Sequence, residues 1–318
     1  MVSFTYYVPT KVFFGTDAES HIGSFLKSKG FHKVLLHYGS GSIKKNGLYD
    51  KVTAELQQAG IAYVELPGVE PNPKIGLVRC GVELCRKEGV DFLLGVGGGS
   101  VSDSCKAIAL GLALDIDPWE AVVKNICPEK PFPMGLVLTI AAAGSEMSNS
   151  SVITNEDGWI KRGLGCDLTR PAFAIYNPEL TYSLPAYQTA AGATDIMAHI
   201  MERYFTNEPD VDMTDRLCES VLKTIIRQAP VAVKEPDNYV ARAEMMWAST
   251  VAHNDFLSCF RVGDWSSHQL SHELSGMYDA THGAALAVAF PAWMTYVYKH
   301  DVQRFCRFAV EVMGVEMD

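Results

Sequence analysis

The sequence contains no basic run longer than Lys44-Lys45, and its 27 lysines and arginines are outnumbered by 37 acids, for a formal net charge of -10. Nucleic acid and anionic membrane are therefore excluded as expected partners. No apolar stretch approaches the length of a bilayer span; the longest, such as Ala107–Leu114, is far too short. The first ten residues lack a basic region followed by an apolar run, so no secretory signal is expected. There is no CxxC pair either: Cys80, Cys85, Cys105, Cys127, Cys166, Cys218, Cys259 and Cys306 are scattered singly. That pattern suits a reducing, cytoplasmic location better than a disulfide framework. No low-complexity segment or internal repeat occurs, and charged residues make up only 20%, which argues against wholesale disorder. What is present is 318 residues with 48% hydrophobic content, ample for two packed domains.

The first half alternates between short apolar runs and helical spacing. Lys33–Tyr38 reads as a buried strand, and Ile61–Leu66, Phe92–Val96, Gly135–Thr139 and Ala172–Tyr176 read as further strands. Leu48–Ala59, Lys74–Lys87 and Ser100–Leu114 read as helices, with Gly60 a C-cap and Pro71-Asn72-Pro73 a loop. Strand, turn and helix in this order predict a parallel sheet covered on both faces. From Ala186 on no strand is expected, and segments near 188–206, 212–228, 239–258, 265–278, 284–299 and 301–313 read as helices. Breaks are expected at Asn207-Glu208-Pro209, Pro230, Pro236 and Gly283. The composition shifts near Ser183-Leu184-Pro185. The expected organisation is thus an α/β domain over 1–184 and an all-helical domain over 185–318.

Two Gly/Ser turns follow expected strands: Gly39-Ser40-Gly41-Ser42 and Gly97-Gly98-Gly99-Ser100. Glycine lets a backbone approach a ligand closely, and the N–H groups at the next helix start can hold a phosphate. Neither turn is a GxGxxG fingerprint, and each alone reads equally well as a tight connection; two in one sheet domain favour a dinucleotide. Asp103 lies three residues past Ser100, in the expected first turn of the Ser100–Leu114 helix, where an acid either favours the helix dipole or meets a ribose or nicotinamide amide. No acid occupies 39–46, where a carboxylate would hold an adenosine ribose and repel a 2′-phosphate. With Ser40, Ser42, Lys44 and Lys45 nearby, this leans toward NADP(H) over NAD(H).

The chemistry-bearing residues of the second half come in helical spacings. Asp195 and His199 are four apart, as are His268 and His272, and His282 follows before Gly283. Three histidines and one carboxylate suit a borderline divalent ion such as Fe(II) or Zn(II). A lone Asp–His pair is usually only a surface hydrogen bond. The segment His268-Gln-Leu-Ser-His272 also lacks the glutamate that a zinc protease needs as its base. His21, His32, His37, His253 and His300 have no such partners and read as surface or packing residues.

Seven stretches together resemble the iron-containing (group III) alcohol dehydrogenases, in the branch of butanol dehydrogenases and NADPH-dependent aldehyde reductases. They are Phe4–Gly15 (FTYYVPTKVFFG), Tyr38–Lys45 (YGSGSIKK), Val69–Pro73 (VEPNP), Gly95–Asp103 (GVGGGSVSD), Ala143–Glu146 (AGSE), Asp195–His199 (DIMAH) and Ser267–His282. The resemblance implies a Rossmann-like α/β domain followed by a helical metal-binding domain, in a dehydroquinate synthase-like architecture. It implies Asp195, His199, His268 and His282 as ligands of Fe(II), with Zn(II) the alternative. It also implies His272 as the residue beside nicotinamide and substrate and the candidate for proton relay, and Asn72, Thr139 and Lys161 as cofactor contacts. It suggests a homodimer and a small alcohol or aldehyde, such as butanol or butanal, as substrate. Two departures stand out: Ala143 where many relatives have Thr, and an end at Val315–Asp318 that reads as truncated against longer relatives and would leave apolar surface uncovered. The competing readings are a non-catalytic nucleotide-binding remnant, a glycerol dehydrogenase or dehydroquinate synthase-like enzyme, and a metal-dependent hydrolase. A phosphorylated substrate would want an Arg/Lys cluster, for which only Arg203 and Arg261 offer themselves.

Overall fold

In the computed structural model, residues 1–316 are described, and they fall into two units. The sheet unit comprises Val8–Ile140 and Ser145–Ser183; the helical unit comprises Met1–Tyr7, Ala141–Gly144 and the chain from Leu184 on.

Six strands build the sheet: β1 (Lys11–Phe14), β2 (Lys33–Gly39), β3 (Ala62–Val69), β4 (Phe92–Gly97), β5 (Met134–Leu138) and, after a hairpin of β6 (Ser150–Asn155) and β7 (Ile160–Gly165), β8 (Phe173–Tyr176). Their order is β1-β8-β5-β4-β2-β3, and every pairing is parallel. The connecting helices are α1 (His21–Ser28), α2 (Ser42–Lys45), α3 (Leu48–Ala59), α4 (Ile75–Glu88), α5 (Gly99–Leu114) and α6 (Pro118–Lys124). Strand periodicity explains the two faces. Val34, Leu36 and Tyr38 point into one core with Ile22, Leu26, Val52 and Leu56; Leu35 points into the other with Val78, Cys105 and Ile108. Each fully buried aliphatic side chain contributes about 1.5–3 kcal/mol.

The helical unit contains α7 (Ala186–Tyr204), α8 (Asp212–Lys234), α9 (Tyr239–His253), α10 (Ser266–Tyr278), α11 (His282–Val297) and α12 (Val302–Glu311). No strand occurs among its described residues. None of the helices is long and apolar enough to cross a membrane. The expected fold class, a parallel α/β half followed by a helical half, is the one observed.

Several expectations need correction. Strand β1 and the β6–β7 hairpin were not foreseen, because their exposed and half-buried positions dilute the apolar pattern. Pro230 does not end its helix: α8 runs through it to Lys234. A proline there removes only one backbone donor, in the helix's penultimate turn. Helix α9 stops at His253, and Phe256–Ser258 forms a separate 3-10 turn. Gly283 is not a breaker but the second residue of α11, where a Cβ would lie 2.0 Å from the carbonyl oxygen of Ala191 on α7. Finally, Cys127 and Cys166 are not scattered thiols. They are joined in a disulfide, with Cα atoms 5.7 Å apart. A 39-residue separation hides such a pairing from the sequence.

Candidate nucleotide turns and metal centre

In the sheet unit the chain leaves β2 toward the edge strand β3 and returns on the other side, as β4. The order therefore reverses between neighbouring strands β2 and β4, and the carboxyl ends of strands at such a reversal are where α/β sheets receive ligands. Both Gly/Ser turns lie there: Gly39–Ser42 leaves β2, and Gly97–Ser100 leaves β4. Thr139 follows β5, the next neighbour, and its N–H donates to Gly97 O at 3.0 Å. Gly98 precedes α5, and a Cβ on it would come within 2.2 Å of Ile140 Cγ2, so no larger residue keeps this turn as tight. Ser40 and Ser42 are exposed. Asn72 has a left-handed backbone (φ 55°), and its Oδ1 accepts from the buried Lys161 ammonium at 2.8 Å. The fold thus joins two expected cofactor contacts 89 residues apart.

Asp103 is occupied within the unit. Its Oδ1 accepts from Ser145 Oγ at 2.6 Å and its Oδ2 from Val152 N at 3.0 Å, while burial pushes its carboxyl above the usual range. Beside it stands Lys106, fully buried on the same helix. Its ammonium donates to the carbonyls of Ser145, Ser148 and Ser150 at 2.6, 2.9 and 2.7 Å. Sequence reasoning passed over Lys106 because a single lysine in a helix is ordinarily solvated. The pair ties the start of the β6–β7 segment to the helix that begins at the second glycine turn.

In the helical unit, Asp195, His268 and His282 converge so that one ligand atom from each lies within 4.8 Å of the others. His268 Nε2 and His282 Nε2 stand 3.9 and 3.7 Å from Asp195 Oδ1. Donors that share one ion with bonds of about 2.0–2.2 Å end up roughly 3–4 Å apart, so the spacing fits. His199 lies beside them but outside that group. Its Nδ1 is 3.1 Å from Asp195 Oδ1, and its ring centroid is 4.4 Å from that of His268.

The hydrogen-bond partners decide which ring nitrogen each histidine offers. His199 Nδ1 lies 2.8 Å from Asp195 O, a carbonyl that can only accept, so this nitrogen carries the proton. The hydroxyl of Ser271 donates to His268 O at 2.9 Å; Ser271 Oγ therefore accepts from His282 Nδ1 at 3.1 Å. His268 Nδ1 donates to the carboxylate of Glu202 at 2.9 Å. In all three rings Nδ1 carries the proton toward its partner, so Nε2 is the nitrogen that would meet a metal. The donor set and its tautomers fit a divalent ion. His272 is half-buried, with its ring 5.3 Å from that of His282.

One neighbour escaped the sequence reading. Glu202 is fully buried, and burial pushes its carboxyl up to about 7 against the pull of backbone N–H groups of His268 and Trp265. The available signal was its place seven residues after Asp195, on the same helix face. His253 does pack, but against His199, at 4.3 Å between rings. Arg203 and Arg261 do not form an exposed phosphate clamp. The buried Arg203 guanidinium donates to His199 O and Ser258 Oγ; that of Arg261 is committed to Asp215 and Thr214.

Two family profiles match almost the whole chain: iron-containing alcohol dehydrogenase over residues 9–178, and the C-terminal part of the Fe-containing alcohol dehydrogenase family over 189–318. NADH-dependent butanol dehydrogenase A of Clostridium acetobutylicum is 43% identical over 99% of this chain and 81% of its own length. The NADPH-dependent aldehyde reductase of Escherichia coli is 38% identical over 96% of this chain and 78% of its own. The crystal structure of NADH-dependent butanol dehydrogenase A from Thermotoga maritima superimposes with a TM-score of 0.97 at 42% identity, covering 99% of this chain and 79% of that one. The chain therefore belongs to the iron-containing alcohol dehydrogenase family, and it is an oxidoreductase that interconverts alcohols and aldehydes with iron and a nicotinamide dinucleotide.

Proposed function

We propose that the protein reduces short linear aldehydes such as butanal to primary alcohols, with NADPH as its preferred donor and one ion held by Asp195, His199, His268 and His282. The observation that carries this reading is the convergence of Asp195, His268 and His282 within 4.8 Å, with His199, His268 and His282 each engaged through Nδ1. Fe(II), or Zn(II) in its place, supplies Lewis acidity toward the substrate oxygen, and the nicotinamide supplies or accepts the hydride. The protein's own residues do the rest. Asp195, His199, His268 and His282 would hold that ion. His272, half-buried beside His282, passes the proton that the oxygen gains on reduction. The N–H groups at the start of α5 cradle the pyrophosphate, with Ser100 at the rim. Gly39–Ser42 admits the adenosine ribose, and Lys161, positioned by Asn72, Thr139 and Asp103 border the remaining cofactor path.

The donor preference rests on charge. No carboxylate stands in 39–46, and half-exposed Lys44 follows the first turn, its Nζ 3.4 Å from Glu65. A 2′-phosphate can recruit that ammonium and meets no acid within the turn. Among relatives, one is named for NADH and another for NADPH. The test is oxidation of NADPH by butanal on metal-stripped protein, before and after anaerobic Fe(II) or Zn(II), with NADH alongside. Metal-restored turnover that favours NADPH supports the whole reading. Turnover that favours NADH removes only the donor preference, and nucleotide binding without turnover indicates a non-catalytic remnant.

A further inference from the structure

Glu202 lies on α7 seven residues after Asp195 and three after His199, so one helix face carries all three. It is fully buried, yet both of its oxygens are engaged. Oε2 accepts from Trp265 N at 2.7 Å; Oε1 accepts from His268 N at 2.9 Å and from His268 Nδ1 at 2.9 Å. Trp265 is the N-cap of α10, has a left-handed backbone and offers no side-chain cap. His268 is the third residue of that helix. In a capping box, two residues of one helix satisfy these two N–H groups reciprocally. Here a single carboxylate from another helix takes both, placing its charge at the positive end of the α10 dipole.

The same oxygen that caps the helix also holds the imidazole N–H of its third residue. We propose that Glu202 is a positioning residue for the metal centre: by capping α10 and gripping His268 Nδ1 with one carboxylate, it fixes at once where α10 starts and where His268 Nε2 points. The proposal rests on the reading of His268 as a ligand. It differs from ordinary capping in a way that can be measured. A cap stabilises the helix and leaves metal affinity nearly alone, whereas a carboxylate on the far nitrogen of a ligating histidine raises that ligand's basicity and locks its ring.

The experiment compares Zn(II) affinity, by chelator competition, in the parent, Glu202→Gln, Glu202→Asp and Asp264→Ala, with Co(II) absorption spectra as a second readout. Asp264 Oδ1 accepts from Ser266 N at 2.8 Å, so its removal weakens the same helix start without touching His268. Glutamine keeps the size of Glu202 but lacks the charge; aspartate keeps the charge but withdraws it by one methylene, so either variant reports if the other does not fold. The expected result is Zn(II) binding about 10–100-fold weaker in the Glu202 variants with an altered Co(II) spectrum, and within about threefold of the parent in Asp264→Ala. Parent-like affinity and spectra in the Glu202 variants overturn the proposal, as does an equal loss in Asp264→Ala, which would reduce Glu202 to a helix cap. A parent that binds no zinc removes the ligand reading itself, and the proposal with it.

Discussion

The sheet unit and the helical unit prepare for their ligands by different means. At the β2 and β4 ends the groups offered are mostly backbone N–H groups, set by contiguous glycines and by the start of α5. Such a site is assembled over four or five residues and needs its neighbours only to leave room. In the helical unit the groups offered are side chains from α7, α10 and α11, and each histidine is aimed by a second residue: Asp195 O, Glu202 or Ser271. Geometry there depends on how three helices pack, so a small shift in one helix moves a ligand atom. The lesson is that a backbone site fails by steric filling, whereas a side-chain site fails by loss of one donor or by helix displacement.

The comparison breaks most sharply at the ligands. His268→Ala or His282→Ala should lower metal-dependent turnover by about a thousandfold, since the ion contributes several kcal/mol to the barrier. NADPH binding by the sheet unit should survive, as fluorescence titration and metal analysis will show. An unchanged turnover would remove the ligand assignment. Next comes the packing on which those ligands depend. A Cβ at Gly283 would collide with the Ala191 carbonyl at 2.0 Å, a backbone atom with nowhere to go. Gly283→Ala should therefore cost about 3 kcal/mol in urea unfolding and loosen the metal, because His282 is its immediate neighbour. Gly98→Ala, which meets only a methyl of Ile140, should cost less stability and more nucleotide affinity.

A third test isolates the sheet unit. His37 is completely buried, with Nδ1 donating to Leu66 O at 2.7 Å and Nε2 accepting from Ser104 Oγ at 2.8 Å. Burial pushes its pKa from 6.5 down to about 4, against the pull of the Leu66 bond. The unfolded chain therefore takes up the proton first. His37's support for the fold is complete above about 6.5 and is lost as pH falls toward 4, at a cost of up to about 3 kcal/mol. Denaturant unfolding between those pH values should show that slope, and His37→Gln should flatten it. The smallest effect is expected at the surface: Lys44→Ala should weaken NADPH about tenfold while leaving NADH nearly unchanged in steady-state kinetics. Equal losses for both donors would mean that Lys44 does not read the 2′-phosphate.

The residues explain which features could be read in advance. The strands β2, β4, β5 and β8 are short apolar runs closed by turn residues, and burial on both faces is written directly into them. Asp195 and His199 could be paired because the helix period places i and i+4 together. His268 and His282 could be joined to them only through a family resemblance, since no periodicity links α7 to α10 and α11. Glu202, Lys106 and the Cys127–Cys166 disulfide were passed over for a related reason: a buried acid, a buried lysine and a long-range pair look, one residue at a time, like ordinary surface or core positions.

The sequence by itself determined local matters: strands from apolar runs, helices from their period, turns from glycine, and a donor chemistry suited to a borderline divalent ion. Tertiary structure alone decided the reversal of strand order that sets both glycine turns at neighbouring strand ends, the engagement of both Asp103 oxygens, and the ring nitrogen that each histidine presents. The physical reason is range. Backbone preferences act over a few residues, but a hydrogen bond such as that from His268 to Glu202 joins atoms 66 positions apart and exists only once the helices have packed.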